Sequence, residues 1–205
     1  MFLNTALNAM NDTWPMLVIF VVIISTIRIT YLNIHREKFV FYKEFLNLLF
    51  IIYVLMLYEL LTNVETNVNS GYNLVPFTEI TRYKFGSNAF MYNVIGNILL
   101  FVPFGYFVSG YIKASKVSHI LAVSIISSLT VEVVQLQIGR SFDIDDILLN
   151  VTGAIAGFLL YIGLCAIKKH LPKFLQRDFV YNVVCILFAI VIVVYFLKFM
   201  GLWWF

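Results

Sequence analysis

The chain has 205 residues, of which 61% are hydrophobic and 12% charged, and its formal net charge is +3. A soluble domain is about 45–50% apolar and about 25% charged, so a chain of this composition needs lipid as part of its solvent. Intrinsic disorder, a disulfide scaffold, a nucleic-acid module and a two-domain soluble enzyme are all excluded.

A helical span needs about 20 mostly apolar residues. Six stretches qualify: 14–34, 42–61, 91–112, 117–138, 146–167 and 180–202. The expected fold class is therefore all-α, a polytopic membrane helix bundle of about six transmembrane helices, with the whole chain as one membrane domain. Asp12 or Thr13 is placed to cap the first span, and Pro15 suits its first turn. No Lys or Arg precedes Arg28, so the basic leader of a cleavable signal peptide is not expected; Arg28 itself is placed to snorkel to the interface. The last span ends in Trp203, Trp204 and Phe205, an interfacial aromatic anchor. Cys165 and Cys185 fall within apolar runs and read as small buried hydrophobes rather than a disulfide.

Basic residues alternate between loops. The first, third and fifth connections hold Arg36, Lys38, Lys43, Lys113, Lys116, Lys168, Lys169, Lys173 and Arg177. The second and fourth hold Arg82, Lys84 and Arg140. Nine against three places the first set in the cytoplasm and both termini outside. The long second connection, Thr62 to Phe90, then lies outside. Its run Asn73-Leu74-Val75-Pro76-Phe77 reads equally well as a re-entrant segment or as an exposed loop.

Ionisable groups within lipid are costly and are functional candidates by default. Ser124, Ser128, Glu132 and Gln135 share one face of the fourth span. Asp146 and Asn150 share a face of the fifth, which Gly153 and Gly157 continue in the small-xxx-small pattern of close helix contact. Asn93 and Asn97 lie four apart on the third. At 1.5 Å rise per residue, Glu132 and Asn97 lie about 9 Å inside their spans and Asn150 about 6 Å. Under the proposed topology all three stripes open to the outer side, which implies a polar pocket there. Asp143 or Asp145 can cap the fifth helix. Glu132, before a helix C-terminus, sits at the wrong end for an anion and needs a partner, for which Arg140 is the nearest cation in sequence. A packing network of these residues without chemistry is an equal alternative.

The segment Gly139-Arg140-Ser141-Phe142-Asp143-Ile144-Asp145-Asp146-Ile147-Leu148-Leu149-Asn150, followed by Gly153 and Gly157, resembles the signature of VanZ-like membrane proteins. So do Asn93-Val94-Ile95-Gly96-Asn97-Ile98-Leu99-Leu100-Phe101-Val102-Pro103-Phe104-Gly105, Glu132-Val133-Val134-Gln135 and Asn73-Leu74-Val75-Pro76-Phe77. The resemblance covers residues 73–165, with 180–205 as an accessory span. It implies a link to low-level teicoplanin resistance through reduced drug binding at the bacterial cell surface, and leaves the molecular activity open.

Three functions compete. In the first, an enzyme acts on a lipid-linked or glycosylated envelope component, such as a lipid-linked envelope precursor. Glu132 would be the general acid or base, and Arg140 would clamp a phosphate. Asp143 and Asp146 complete the candidate catalytic set, and Asp143, Asp145 and Asp146 are the candidate holders of a divalent cation such as Mg²⁺. Asn73, Asn93, Asn97, Ser128, Gln135 and Asn150 would bind substrate. His35, His119 and His170 all fall on the cytoplasmic side, away from this set. In the second, a non-catalytic pocket holds a lipid head group or a lipoglycopeptide tail. In the third, the polar network only locks helices into a scaffold. Membrane lipids are partners in every case and nucleic acid in none. Transport fits poorly, because the polar residues cluster at one side.

Overall fold

The computed structural model describes residues 2–62 and 71–199. In chain order these form α1 (Phe2–His35), α2 (Phe41–Thr62), β1 (Tyr72–Asn73) and α3 (Thr78–Arg82). Then come α4 (Asn88–Tyr111), α5 (Val117–Gln137), β2 (Phe142–Asp143), α6 (Ile144–His170) and α7 (Asp178–Phe199). The class is all-α and polytopic. Six of these helices, all but α3, are long and apolar enough to cross a membrane.

Several boundaries differ from the sequence reading. The first helix does not start at a cap near residue 13 but runs back to Phe2, with Pro15 inside it. The stretch before Pro15 is rich in Leu, Ala and Met, which favour helix, and a proline removes only one backbone hydrogen bond of the ladder. Thr13 is buried and donates its hydroxyl to Met56 Sδ at 3.7 Å instead of capping. The side chain of Asp12 and the anchor of Trp203, Trp204 and Phe205 lie outside the described residues, as does 63–70 of the second connection. Cys165 and Cys185 are free and only half-buried, since lipid rather than protein can cover an apolar residue on a crossing helix.

The described residues divide into two compact units. One comprises 1–17 and 53–165, the other 18–52 and 166–205. In the first unit, α4 and α6 meet backbone to backbone. A Cβ built at Gly153 would strike the Ile98 carbonyl, one at Gly157 the Val102 carbonyl, and one at Gly105 the Ala154 carbonyl. The contact partners rise together, 98 with 153 and 102 with 157, so the two helices run parallel. That is what the third and fifth of a series of alternating spans must do. Between helices in lipid there is little hydrophobic drive, and small residues that admit close approach supply the packing. Tyr53 donates its hydroxyl to the Leu100 carbonyl at 2.6 Å, in the turn that Pro103 loosens. The interior of this unit is unusually polar: Ser109, Ser124, Ser128, Glu132, Gln135, Asp145 and Asn150 are all buried beside Phe101, Ile120 and Ala154.

In the second unit Arg28 does not simply snorkel. Its guanidinium makes a two-pronged bond to Glu44, at 2.8 and 3.0 Å. The Tyr42 amide donates to Asn182 at 2.9 Å, its hydroxyl donates to Asp178 at 3.2 Å, and the Lys168 ammonium lies 4.5 Å over the Tyr181 ring.

Candidate functional site

The site is built at one end of the first unit, where α2 and α5 end and α4 and α6 begin. The chain reaches it through a short parallel pairing of β1 with β2, in which Tyr72 faces Phe142 and Asn73 faces Asp143. Asn73 donates to Asp143 Oδ1 at 3.0 Å, and the same oxygen accepts the Asp145 amide at 2.8 Å. Asp143 thus caps α6, whose helix begins at Ile144, two residues ahead of the expected 146. Burial pushes the Asp143 carboxyl above its ordinary range, and the bond from the Asp145 amide pulls part of the way back.

Asp145 has a different task from either one foreseen. It is fully buried, and its two oxygens accept the backbone amides of Phe77 at 2.6 Å, Glu79 at 2.8 Å and Ile80 at 3.2 Å. It therefore caps α3, not α6. Phe77 precedes α3 in the left-handed region at φ 68°, which turns its amide toward the carboxylate. The run 73–77 is accordingly a pairing strand and a tight turn held against the start of α6.

The expected pair of Glu132 with Arg140 is not formed. Arg140 Nη1 donates to the Leu61 carbonyl at 3.3 Å, beside Gln135 Nε2 at 3.2 Å on the same oxygen. Leu61 is the penultimate residue of α2, and its carbonyl is one of those a helix end leaves unmatched. The negative end of the α2 dipole is a ready partner for a guanidinium. Glu132 instead accepts the Asp143 amide on Oε2 at 2.9 Å. The residue is 1% exposed, and its Oε1 has no hydrogen-bond partner among the described residues.

A cavity of about 590 Å³ opens between these elements. Glu132, Arg140, Asp143, Asp146, Asn73, Asn93, Asn97, Gln135 and Asn150 all line it, so the sequence-predicted set is largely brought together. Asn97 donates to Asp146 Oδ1 at 2.6 Å. Ser128 does not line the cavity. It is buried behind Asn150 and accepts that residue's amide at 2.9 Å, so it orients Asn150. The proposed metal triad of Asp143, Asp145 and Asp146 does not assemble. Among the described residues no three His, Cys, Asp or Glu side chains gather as metal ligands, and Asp145 is committed to backbone amides.

Sequence reasoning missed four contributors. Glu79, Arg82, Tyr83 and Tyr92 also line the cavity. Glu79 and Arg82 pair at 3.1 Å, an i,i+3 spacing visible in the sequence once a helix is assumed there. Burial and the neighbouring Glu79 carboxylate hold the Tyr83 phenol above its ordinary range. Also missed was the turn Met91–Ile95, which is a π-helix. Such single turns cluster at functional sites. It breaks the α-helical phase between Asn93, which donates back to the Ala89 carbonyl, and Asn97, which faces Asp146.

Six crossing helices and a donor- and acid-lined cavity at one end of a helix unit define a multi-pass membrane protein with an internal polar site. Residues 39–167 match the VanZ/LLP1 family, a span that contains the whole cavity. The chain is also 31% identical over 147 residues to Protein VanZ of Enterococcus faecium, covering 69% of this chain and 83% of that protein. The chain belongs to the VanZ/LLP1 family. No solved structure matches it.

Proposed function

We propose that this protein works in the bacterial cell membrane by modifying or sequestering a membrane-borne envelope component in the polar cavity, so that less teicoplanin binds at the cell surface. The observation that carries the reading is Glu132. One of its oxygens is fixed by a backbone amide, while the other, buried as well, has no hydrogen-bond partner among the described residues. A buried acceptor left unmatched costs about 1–3 kcal/mol, and more if charged, so a site that keeps one is shaped for something else to meet it. A scaffold would be expected to satisfy both oxygens internally. The excess of basic residues in the first, third and fifth connections supports an outward-facing cavity and outward termini.

The test is teicoplanin susceptibility in cells expressing wild type or Glu132→Gln, with membrane levels matched by blotting and vancomycin run in parallel. Wild type is expected to protect against teicoplanin and the equally abundant variant is not. Equal protection by both would remove the cavity from the function.

A further inference from the structure

The cavity's own charges identify the class of head group it suits. Two cations line the cavity: Arg82 pairs with both oxygens of Glu79, at 3.1 and 3.2 Å, and Arg140 donates one bond to the Leu61 carbonyl. Asp145 accepts three backbone amides, which satisfy its oxygens and leave its charge in place. Against the two cations stand, besides Glu79, four carboxylates in the lining, Glu132, Asp143, Asp145 and Asp146, so the lining is acidic in net charge. A phosphate would add a further negative charge to this net-acidic lining, where among the described residues Arg140 is the only cation outside an ion pair. An ammonium brings three donors and no acceptor, the complement of these carboxylates.

The cavity also has an apolar neighbour. A groove of about 330 Å³ runs between α2, α4 and α5, lined by Phe101, Phe104 and Ile126 among others. Leu61, Val131 and Gln135 line both spaces, so groove and cavity adjoin across these three side chains. Every one of these residues lies in the first unit. A molecule that fills both has a polar head and a hydrocarbon chain joined at the level of Gln135.

We propose that the site binds an amphiphile bearing a primary ammonium, with the cation against Glu132 and Asp146 and the hydrocarbon chain in the groove beside Ile126. The proposal rests on the cavity being the working site. It replaces the phosphate expected at Arg140 with an amine.

The test uses the full-length chain in an uncharged detergent, with native mass spectrometry counting bound dodecylamine, dodecyl phosphate and dodecanol. Dodecylamine is expected to bind at least about tenfold more tightly than either of the others. Glu132→Gln should weaken it by about tenfold or more. Ile126→Trp, which fills the groove, should weaken dodecylamine while leaving the protein folded. Should Glu132→Gln fail to fold, Asp146→Asn serves in its place. Dodecyl phosphate binding as tightly as dodecylamine would overturn the proposal, as would unchanged dodecylamine binding in a folded acidic-site variant. Displacement of dodecylamine by an equal concentration of butylamine would point to a soluble amine and overturn the amphiphile. If phosphate wins while Glu132→Gln still abolishes teicoplanin protection, the ammonium assignment falls and the working site stands.

Discussion

Asp145 and Glu132 are both buried carboxylates, and they differ in what their oxygens touch. Asp145 is satisfied by three backbone amides, whereas Glu132 holds one amide and leaves Oε1 without a partner among the described residues. Their substitutions should therefore separate. Asp145→Ala strands three amides and is expected to cost stability, about 1–3 kcal/mol by the usual penalty for unmatched buried groups. Thermal unfolding followed by size-exclusion chromatography measures it, and an unchanged midpoint would contradict the capping role. Asp143 adds a pH dependence. Its native carboxyl titrates above the ordinary Asp value, so the folded chain holds that proton more tightly than the unfolded one. The stability this gives is complete at low pH. It is lost as pH climbs from about 3.9, the ordinary value, through the raised native one. Asp143→Asn keeps an acceptor for Asn73 and the Asp145 amide and does not titrate, so its melting temperature should fall less than that of wild type over this interval. Glu132 was legible in the sequence because an acid before a helix C-terminus is out of place. Its true neighbours were not. The carbonyl that captures Arg140 belongs to Leu61, 79 residues away in the chain, and no local spacing reveals it.

At the scale of the elements, the small-residue stripe was the most readable feature. Gly153 and Gly157 declare a close helix contact, and the structure supplies the partner, α4, and the parallel direction. Gly153→Ala or Gly157→Ala places a methyl against a backbone carbonyl, which a side-chain adjustment cannot relieve. Overpacking of this kind costs about 1–3 kcal/mol, and both variants should melt earlier than wild type and accumulate less in membranes. Gly163, whose Cβ would meet nothing within 4 Å, is the matched control. Tyr53→Phe removes one bond to the Leu100 carbonyl and should cost about 1 kcal/mol in the same assay. The π-turn was not readable, because periodicity is judged over windows longer than the five residues it occupies. The helix start at Phe2 was missed for the opposite reason: a local signal, Pro15 after Asp12 and Thr13, outweighed the helix-forming residues before it.

For the whole molecule, composition alone settled the solvent, and hydropathy the number of crossings. The order of the apolar runs also predicts that α4 and α6 run the same way, as their contacts show. What composition could not supply is the function, because cavity residues scattered from Leu60 to Asn150 acquire meaning only when folded together. If the groove instead takes a lipoglycopeptide tail, the second of the competing functions, protection should depend on the drug's acyl chain. Cells carrying wild type should be protected from teicoplanin more than from a glycopeptide without that chain, and equal protection against both would sever the groove from the phenotype.

The hold of Asp145 on Phe77, Glu79 and Ile80 has a kinetic consequence. Amides in a surface connection ordinarily trade hydrogen with solvent quickly. These three are tied to a fully buried side chain on another element, and they can be released only when the start of α6 opens. In deuterium-exchange mass spectrometry a peptide spanning 77–80 should be among the slowest outside the crossing helices. It would serve as a built-in gauge of how often the mouth of the cavity comes apart.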